Sequence, residues 1–235
     1  MAQSGRLRFD GGKMKRTLFI TGTDTGVGKT VLTALLAQFL RQRGVNVAAL
    51  KPVCSGDRAD ALALHAALGG ALALDEINPW HFRAAIAPTL AAKREKKSLR
   101  LAPVLAHLRA TRKKFDVTLI EGAGGLLSPL GENFNSRDLI LALRATPVIV
   151  ATNKLGAVNH LLLTLEALSK NLRAQAKVVL ISPPKADSAT ASNGKLLAQF
   201  FPPEKILTLP WLEKKVKPAA ALKNPQVRRT LGKLL

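Results

Sequence analysis

Apolar and polar residues follow two different spacings along the chain. Short runs rich in Val, Ile, Leu and Ala are typical of buried strands, and they cover residues 17–21, 45–50, 117–120, 147–151, 178–181 and 206–209. Between them, apolar residues recur every three or four positions, as in amphipathic helices, over residues 29–43, 60–68, 101–114, 136–143, 158–173 and 192–200. Buried strands that alternate with helices predict an α/β fold, doubly wound, with a mostly parallel sheet flanked by helices.

The start of the chain lacks this pattern. Residues 1–13 are polar, contain Gly and show no apolar period, whereas Met14 leads directly into the first predicted strand. We expect residues 1–13 to be a flexible N-terminal extension, with Met14 as an alternative start. No internal repeat or linker divides the remainder, so residues 14–235 are predicted to form a single domain.

The composition favours an α/β protein in a reducing compartment. Apolar residues make up 47% of the 235 positions and aromatic residues 4%, with no Tyr, which is closer to Ala- and Leu-rich α/β proteins than to all-β ones. A single Cys excludes a disulfide framework. No apolar run reaches the roughly 18 residues of a membrane span, and no signal peptide is recognisable. We therefore expect a cytoplasmic protein with no membrane partner.

The charge is strongly positive, with 36 Lys and Arg against 15 Asp and Glu, or +21. Much of the excess lies in residues 93–114 and 213–235. The first of these segments also carries apolar residues at helical spacing, so its cations are expected on the wet side of a helix: Leu99, Leu101, Val104, Leu105 and Leu108. No aromatic residues are interleaved there, as base stacking would require. We interpret the charge as a solvated surface and expect no nucleic-acid partner.

The first predicted strand ends in a Gly-rich turn, "TGTDTGVGKT", that leads into a helix. Five residues separate Gly22 from Gly28, where the usual phosphate-binding loop has four. In this setting the backbone N–H groups would wrap a di- or triphosphate, Lys29 would bridge its β- and γ-phosphates, and the Thr30 hydroxyl would bind Mg²⁺. The alternative is a Gly-rich turn with an incidental Lys.

The second predicted strand ends at Lys51, in "ALKPVCSG". A Lys at the carboxyl end of a strand would be a second fixed cation near phosphates or an anionic substrate. The alternative is a Lys whose ammonium extends from the sheet rim into water. Cys54, three residues on, has no base near it in sequence, so we interpret it as a small loop residue and not as a nucleophile.

Two carboxylates are candidates for a metal site. Glu121 ends the predicted strand in "DVTLIEGAGG", where a phosphate-binding loop protein keeps a ligand for Mg²⁺ or water. The small residues behind it, Gly122, Ala123 and Gly124, would let backbone approach a ligand closely. Asp60 in "GDRADALAL" is open to two interpretations, as a metal ligand or as the N-cap of the next helix.

One helix start is a candidate anion site. "NKLGAVNH" follows a predicted strand and opens a helix, so the amides of residues 156–159 could hold a carboxylate, although a plain helix start is an equal alternative. The four His residues share no metal-ligand spacing.

Several of these segments, in this order, resemble dethiobiotin synthetase: "TGTDTGVGKT", "KPVCSG", "DALAL", "INPWHF", "EGAGGLLSPL" and "NKLGAVNH". The resemblance runs from residue 16 to residue 211, and that family also has five residues between the first Gly of the loop and its Gly-Lys-Thr. It implies a homodimer of doubly wound α/β domains of the phosphate-binding-loop type. It also implies an enzyme that forms the ureido ring of dethiobiotin from 7,8-diaminopelargonate, CO₂ and ATP with Mg²⁺.

The resemblance assigns roles to residues of this chain. It puts Mg²⁺ on Thr30, Asp60 and Glu121. It gives catalytic roles at the phosphoryl groups and the substrate carbamate to Lys51, Lys29 and Thr25. It assigns the nucleotide to Gly26, Val27, Gly28, Lys29, Thr30, Glu121, Gly122, Ala123 and Gly124. It assigns the diamine to Thr25, Lys51 and Ser55 and, from the opposite subunit, to Gly156, Ala157, Val158 and Asn159.

The chain differs from the family at one position, and one alternative function remains open. Where the family has an Asn that recognises adenine after the fifth strand, this chain has Ser182, which leaves the preferred nucleotide base open. The alternative function is a partition- or division-type ATPase that binds DNA or membrane through a basic surface. That class has a Lys-Gly-Gly start to the loop and an Asp-rich second motif, where this chain has "TDTG" and "KPVCSG".

Overall fold

The computed structural model of the protein describes residues 15–212 and 218–235, so the expected extension at residues 1–13 lies outside it. Its strands are β1 Arg16–Gly22, β2 Val47–Leu50, β3 Val53–Ser55, β4 Trp80–Phe82, β5 Val117–Gly125, β6 Pro129–Gly131, β7 Phe134–Asn135, β8 Thr146–Thr152, β9 Lys177–Ile181 and β10 Ile206–Leu209. The main sheet has the order β10-β9-β8-β1-β5-β2. Every pair of neighbours in it is parallel. This confirms the predicted parallel sheet.

Helices connect these strands. They are α1 Lys29–Gln42, α2 Ala59–Ala67, α3 Leu74–Ile77, α4 Pro88–Arg94, α5 Leu101–Arg112, α6 Ser136–Leu143, α7 Ala157–Glu166, α8 Lys170–Gln175, α9 Ser188–Leu197, α10 Pro218–Ala221 and α11 Pro225–Gly232. Within the described ranges, none is long and apolar enough to cross a lipid bilayer.

Two predicted helices have different bounds in the structure. The helix expected over residues 158–173 is two helices, since α7 ends at Glu166 and the Ser169 hydroxyl accepts the Leu172 N–H to begin α8. The helix expected from residue 192 begins at Ser188, because Asp187 caps α9 by accepting the Thr190 N–H at 2.7 Å. In both places a side-chain cap outweighs the apolar spacing in setting the helix start.

The core lies between the main sheet and its helices. Strand residues such as Phe19, Ile20 and Leu50 are fully buried, as expected of strands covered on both faces. On α5, Val104, Leu105 and Leu108 are buried as predicted, whereas Leu101 is only partly buried.

Two small sheets in the connections were not predicted. β3 pairs with β4 in parallel, and β6 pairs with β7 in antiparallel fashion. Each of their strands is two or three residues long, which is too short for an apolar period to be visible in the sequence. Both follow a strand end of the main sheet, and they build the walls of the site.

Candidate active site

The carboxyl ends of β1, β2 and β5 meet at one cavity of about 720 Å³. These three strands are neighbours, with Ile20 of β1 paired to Glu121 of β5 and Leu50 of β2 paired to Ile120. Residues that leave the three strand ends therefore reach the same space. Predicted site residues in its lining are Thr25, Gly26, Gly28, Lys29, Thr30, Lys51, Ser55, Asp60, Ala123 and Gly124. Val27, Glu121 and Gly122 are outside the lining.

The Gly-rich turn after β1 has the backbone of a phosphate-binding loop. Gly26 and Gly28 have φ angles of +74° and +99°, which L side chains rarely adopt. A Cβ at Gly28 would also lie 2.4 Å from Cδ1 of Ile181 at the end of β9. α1 begins at Lys29, directly after this turn, so its first N–H groups point towards the cavity.

Lys29 is buried and its ammonium donates to the backbone carbonyl of Asp24 at 2.8 Å. Burial lowers the pKa of Lys29 to about 8, and repulsion from Lys51 adds to the effect. Near neutral pH the side chain is therefore a cation that an added anion would stabilise. The two lysines are close enough for each to affect the charge of the other.

Lys51 forms a cluster with two carboxylates, of which Glu121 is buried and Asp60 partly exposed. Its Nζ lies 2.7 Å from Oε1 of Glu121 and 2.7 Å from Oδ2 of Asp60, and it donates to the carbonyl of Gly122 at 3.1 Å. Burial alone would lower the pKa of Lys51, but the charges of Glu121 and Asp60 outweigh it and hold the pKa above the ordinary value. Burial would raise the pKa of Asp60, and Lys51 holds it below its ordinary value. Lys51 and Asp60 therefore both stay charged near neutral pH.

Thr30 joins the same carboxylates. Its hydroxyl lies 2.8 Å from Oδ1 of Asp60 and 2.7 Å from Oε1 of Glu121, and its single hydrogen serves one of them at a time. The second oxygen of Glu121 is buried and has no hydrogen-bond partner among residues 15–212 and 218–235. A hydroxyl with two carboxylates is an oxygen donor set that suits Mg²⁺.

No cluster of three or more His, Cys, Asp or Glu residues suited to a metal occurs in the described ranges. Mg²⁺ usually takes one or two carboxylates from a protein and completes its shell with water and substrate phosphates. The pair Asp60 and Glu121 with Thr30 therefore fits Mg²⁺ better than a metal held by protein ligands alone.

Asp60 lies in the first turn of α2, after Ala59, and is not its N-cap. The N–H of Ala59 is accepted by Asp57 at 3.1 Å, so a different carboxylate serves the helix start. The interpretation of Asp60 as a helix cap was wrong, because its side chain turns towards Lys51 and Thr30.

Asn78 and Ile77 hold Lys51 in place and were not predicted from the sequence. Asn78 is 1% exposed, donates to the Lys51 carbonyl at 2.7 Å and accepts from Nε of Arg58 at 3.1 Å. The Lys51 N–H in turn donates to the carbonyl of Ile77 at 2.9 Å. The segment "INPWHF" contains Asn78, but nothing in its spacing indicates a contact with a residue 27 positions earlier.

The far wall of the cavity is built by the small sheets. Ser55 at the end of β3 donates to the carbonyl of Ile86 at 2.6 Å, and Ser128 before β6 accepts the Gly125 N–H at 2.9 Å. A Cβ at Gly124, which has a φ angle of +68°, would lie 2.5 Å from the Ser128 hydroxyl. Ser128 also lines the cavity and was not predicted.

Three other positions considered in the sequence are Cys54, Ser182 and the start of α7. Burial raises the pKa of the Cys54 thiol. Ser182 follows β9 and its N–H donates to the carbonyl of Leu209 at 2.9 Å. Residues 156–159 form the start of α7, after β8, and are not part of the cavity lining in this chain. Leu155, just before them, is 82% exposed.

Solved structures with the same fold are distant in sequence. A ParA family ATPase from Chlorobium tepidum TLS has a TM-score of 0.57 at 16% identity, covering 93% of this chain and 96% of that one. The MinC:MinD cell division complex of Aquifex aeolicus gives a TM-score of 0.58 at 14% identity, covering 93% of each chain. Such low identity supports the fold and does not favour the partition or division function.

Curated relatives share far more of the sequence. ATP-dependent dethiobiotin synthetase BioD of Anaeromyxobacter dehalogenans (strain 2CP-C) is 38% identical over 201 residues, covering 83% of this chain and 90% of the relative. BioD of Anaeromyxobacter sp. (strain Fw109-5) is 43% identical over 157 residues, covering 65% and 70%. Residues 16–219 also match the family described as an AAA domain. The chain belongs to the dethiobiotin synthetase family.

Proposed function

We propose that the protein is an ATP-dependent dethiobiotin synthetase, which closes the ureido ring on 7,8-diaminopelargonate with CO₂. The observation that carries this proposal is the convergence of Lys29 and Lys51 on one cavity, beside a phosphate-binding loop. Two cations aimed at a common space suit a reaction in which negative charge builds up on two joined anions. The proposed setting is the cytoplasm, where ATP is supplied.

ATP is proposed to bind with its phosphates in the turn after β1. The amides from Gly26 to Thr30 and the start of α1 would hold the phosphate oxygens. Lys29 would exchange its contact with the Asp24 carbonyl for the β- and γ-phosphates. The pKa of Lys29, lowered to about 8 in the free protein, would rise again beside these anions.

Thr30, Asp60 and Glu121 are proposed to hold Mg²⁺. When bound, Mg²⁺ would neutralise charge on the phosphate oxygens and so stabilise the transferring phosphoryl group. The fit is supported by the convergence of three oxygen-bearing side chains and by the buried, unpartnered oxygen of Glu121 in the described structure. Lys51 lies 2.7 Å from both carboxylates and holds the pKa of Asp60 below its ordinary value.

The chemistry proposed here needs positioning more than a protein nucleophile. One amine of the substrate takes up CO₂ as a carbamate, losing a proton. A carbamate oxygen attacks the γ-phosphorus and ADP leaves, which gives a carbamic–phosphoric anhydride. The second amine then attacks the carbamate carbon, and phosphate leaves as the ring closes and the amine proton is lost. Lys51 stabilises the anions electrostatically and does not transfer the protons, because its pKa is held above the ordinary value.

Thr25 and Ser55 are proposed to line the diamine side. Both are in the cavity lining, and Ser55 is held by its hydrogen bond to the carbonyl of Ile86, which also lines the cavity. The carboxylate of the substrate would meet the amides of residues 156–159 from a second copy of the chain. Exposed Leu155 and Leu163, 82% and 62% accessible, support a covered surface around α7.

The function is tested by incubating the protein with 7,8-diaminopelargonate, bicarbonate, Mg²⁺ and ATP and detecting dethiobiotin by mass. We expect product from the wild-type protein and none from Lys51→Ala. Nucleotide binding without product would refute the proposed reaction. ATP hydrolysis that DNA stimulates in the absence of the diamine would instead support the partition-type alternative.

The shared site is tested by mixing two inactive variants. Lys29→Ala disables the phosphate site, and Asn159→Pro removes one amide from the α7 start. If one active site draws on two subunits, mixed dimers contain one intact site, so activity returns to roughly a quarter of the wild-type value after random exchange of subunits. A mixture that stays inactive, or a monomer by light scattering, would contradict the shared site while leaving the reaction itself untouched.

A further inference from the structure

Cations occur at the first residue of each strand of the main sheet or within four residues before it, on the edge opposite the cavity. We call these residues the strand-start row. In the order of the strands across the sheet they are Lys205, Lys177, Arg144, Arg16, Lys114 and Arg43. Neighbouring strands in a sheet are about 4.8 Å apart, so the row extends across roughly 24 Å. The cations come from turns that are far apart in the sequence and are brought together by the parallel sheet.

Backbone contacts fix several members of the row at this edge. Nζ of Lys177 donates to the carbonyl of Lys233 at 2.8 Å, and the Arg16 guanidinium donates to the carbonyl of Leu235. Lys205 donates to the carbonyl of Ala174 at 2.5 Å. The end of the chain therefore lies along this edge.

The members of the row are close enough to repel one another. The pKa of Lys177 is lowered mainly by burial and then by the charges of Arg16 and Lys205, which come from two other strands of the sheet. Arg43, at the other end of the row, lies over the ring of Phe39 at 5.1 Å, and Arg228 of α11 approaches the same ring at 5.7 Å. The row is therefore continuous with cations from α11.

Little negative charge offsets these cations. In the described turns that lead into β2, β5, β8, β9 and β10, residues 43–46, 113–116, 144–145, 176–177 and 203–205, the only carboxylates are those of Asp116 and Glu204. At Arg16, before β1, the backbone carboxylate of Leu235 adds one more negative charge. The carboxyl ends of the flanking helices add about half a negative charge each, which is less than one full cation. The carboxylates of the cavity, Asp60 and Glu121, lie at the opposite edge of the sheet.

We propose that the strand-start row binds the phosphate backbone of nucleic acid, without sequence preference. A row of cations across the sheet matches a polymer with regularly spaced phosphates. A lipid surface would also require apolar side chains that insert beside the cations, and in the turns named above no large apolar side chain is exposed. This binding is separate from the proposed enzymatic activity and does not rest on it.

From the sequence alone we expect no nucleic-acid partner. That expectation rests on residues 93–114 and 213–235, where the cations are close together in the chain. Of the strand-start row, only Lys114 is at the edge of either segment. The row becomes visible only when the sheet places its six turns side by side.

The test compares two matched triple variants. The row variant is Lys114→Gln/Arg144→Asn, with Lys113→Gln added because Lys113 is next to Lys114 in the same turn, and the control is Lys93→Gln/Arg94→Gln/Lys96→Asn. All six side chains are exposed, and none has a hydrogen bond or ion pair with another residue in the described ranges. Arg144 and Lys96 have φ angles of +50° and +54°, where Asn is well tolerated, so the two variants make the same kinds of change.

Binding is measured by fluorescence anisotropy on two unrelated 30-base-pair DNA duplexes between 50 and 200 mM salt, settings chosen to expose the salt dependence. We expect equal affinity for both duplexes and a linear fall of log K with log salt. In the row variant the slope becomes shallower by about 0.9 for each lost phosphate contact, up to roughly 2.7, and affinity at low salt falls at least about tenfold. The control variant keeps the wild-type slope.

Other outcomes would overturn the proposal. They are wild-type affinity in the row variant, an equal loss in the control, a strong preference for one duplex, or binding to phosphatidylglycerol vesicles without binding to DNA. Urea denaturation curves of the two variants should match that of the wild-type protein. A row variant that is unstable is replaced by Lys113→Gln/Lys114→Gln, for which we expect the slope to change by up to roughly 1.8.

Discussion

Lys51 and Glu121 form an ion pair 2.7 Å long between side chains that are 4% and 0% exposed. Lys51 directly follows β2 and Glu121 lies in β5, the strand next to it in the sheet. The register of two parallel strands therefore sets the distance between the two charges. The same pair belongs to the interior of the protein and to the proposed site, so changes to it affect both stability and activity.

Lys51→Ala is expected to abolish dethiobiotin formation and also to lower the stability of the protein. Removing one partner of a buried ion pair leaves an uncompensated charge on Glu121, at a cost of about 3–5 kcal/mol. Denaturation by urea measures the loss, and product detection by mass measures the activity.

The double variant Lys51→Met/Glu121→Gln is the control for that loss. It removes both buried charges, so it should recover most of the stability and none of the activity. Asp60 remains 44% exposed and can be solvated by water. A Lys51→Ala protein as stable as the wild type would show that the ion pair contributes nothing to the fold.

Nucleotide affinity is expected to fall as the pH rises through about 8, the pKa to which burial and Lys51 lower the ammonium of Lys29. Below that pH the free protein already carries the cation that the phosphates need. Above it, Lys29 is neutral and must take up a proton on binding, which weakens the affinity by up to tenfold per pH unit. Calorimetry in buffers of different ionisation enthalpy detects this proton directly.

Lys29→Arg is the matched control for the pH dependence. Arginine stays charged throughout this range, so any affinity that the variant retains should be independent of pH between 7 and 9. A wild-type affinity that is already flat across this range, with no proton uptake, would show that the ammonium of Lys29 does not contact the phosphates.

The charged residues around the cavity could be predicted because each follows a buried strand or a Gly-rich turn. Lys29, Lys51 and Glu121 stand at such positions, and parallel strands bring their carboxyl ends to one edge of the sheet. The role of Asp60, as metal ligand or helix N-cap, could not be decided from spacing, since a helix start favours the same residue type as a metal site. The α/β fold could be predicted from the alternation of short apolar runs, which form the strands, with amphipathic helices.

The supporting residues could not be predicted because they lie in irregular segments. Asn78 and Ser128 reach the site through single hydrogen bonds from short turns, which have no apolar period. The split between α7 and α8 depends on the cap at Ser169, which is a local contact within a continuous amphipathic pattern. The strand-start row depends on strand order, which apolar spacing does not specify.

Gly28→Ala is expected to impair both the loop and the packing against β9. The new Cβ would adopt a left-handed backbone, at about 1–2 kcal/mol, and would lie 2.4 Å from Cδ1 of Ile181. Adding Ile181→Val removes that atom. It should therefore restore the stability lost to the close contact, but not the stability lost to the left-handed backbone. Gly26→Ala has φ of +74° and nothing within 4 Å of its new Cβ, so it isolates the backbone cost. If both Ala variants lost the same free energy of unfolding in urea, the side chain of Ile181 would move aside at no cost.

Asn78→Ala is expected to slow product formation without weakening nucleotide binding. Asn78 bonds the Lys51 carbonyl at 2.7 Å and Nε of Arg58 at 3.1 Å, so its loss frees the end of β2 and leaves buried polar groups unpaired. We expect a stability loss of about 1–3 kcal/mol and a lower kcat, with the KM for ATP unchanged because Lys29 is on α1. Asp75→Ala, which removes the exposed partner of the same Arg58 at 2.9 Å, is the control and should cost at most about 1 kcal/mol. If Asn78→Ala raised the KM for ATP and left kcat intact, Asn78 would not act through Lys51.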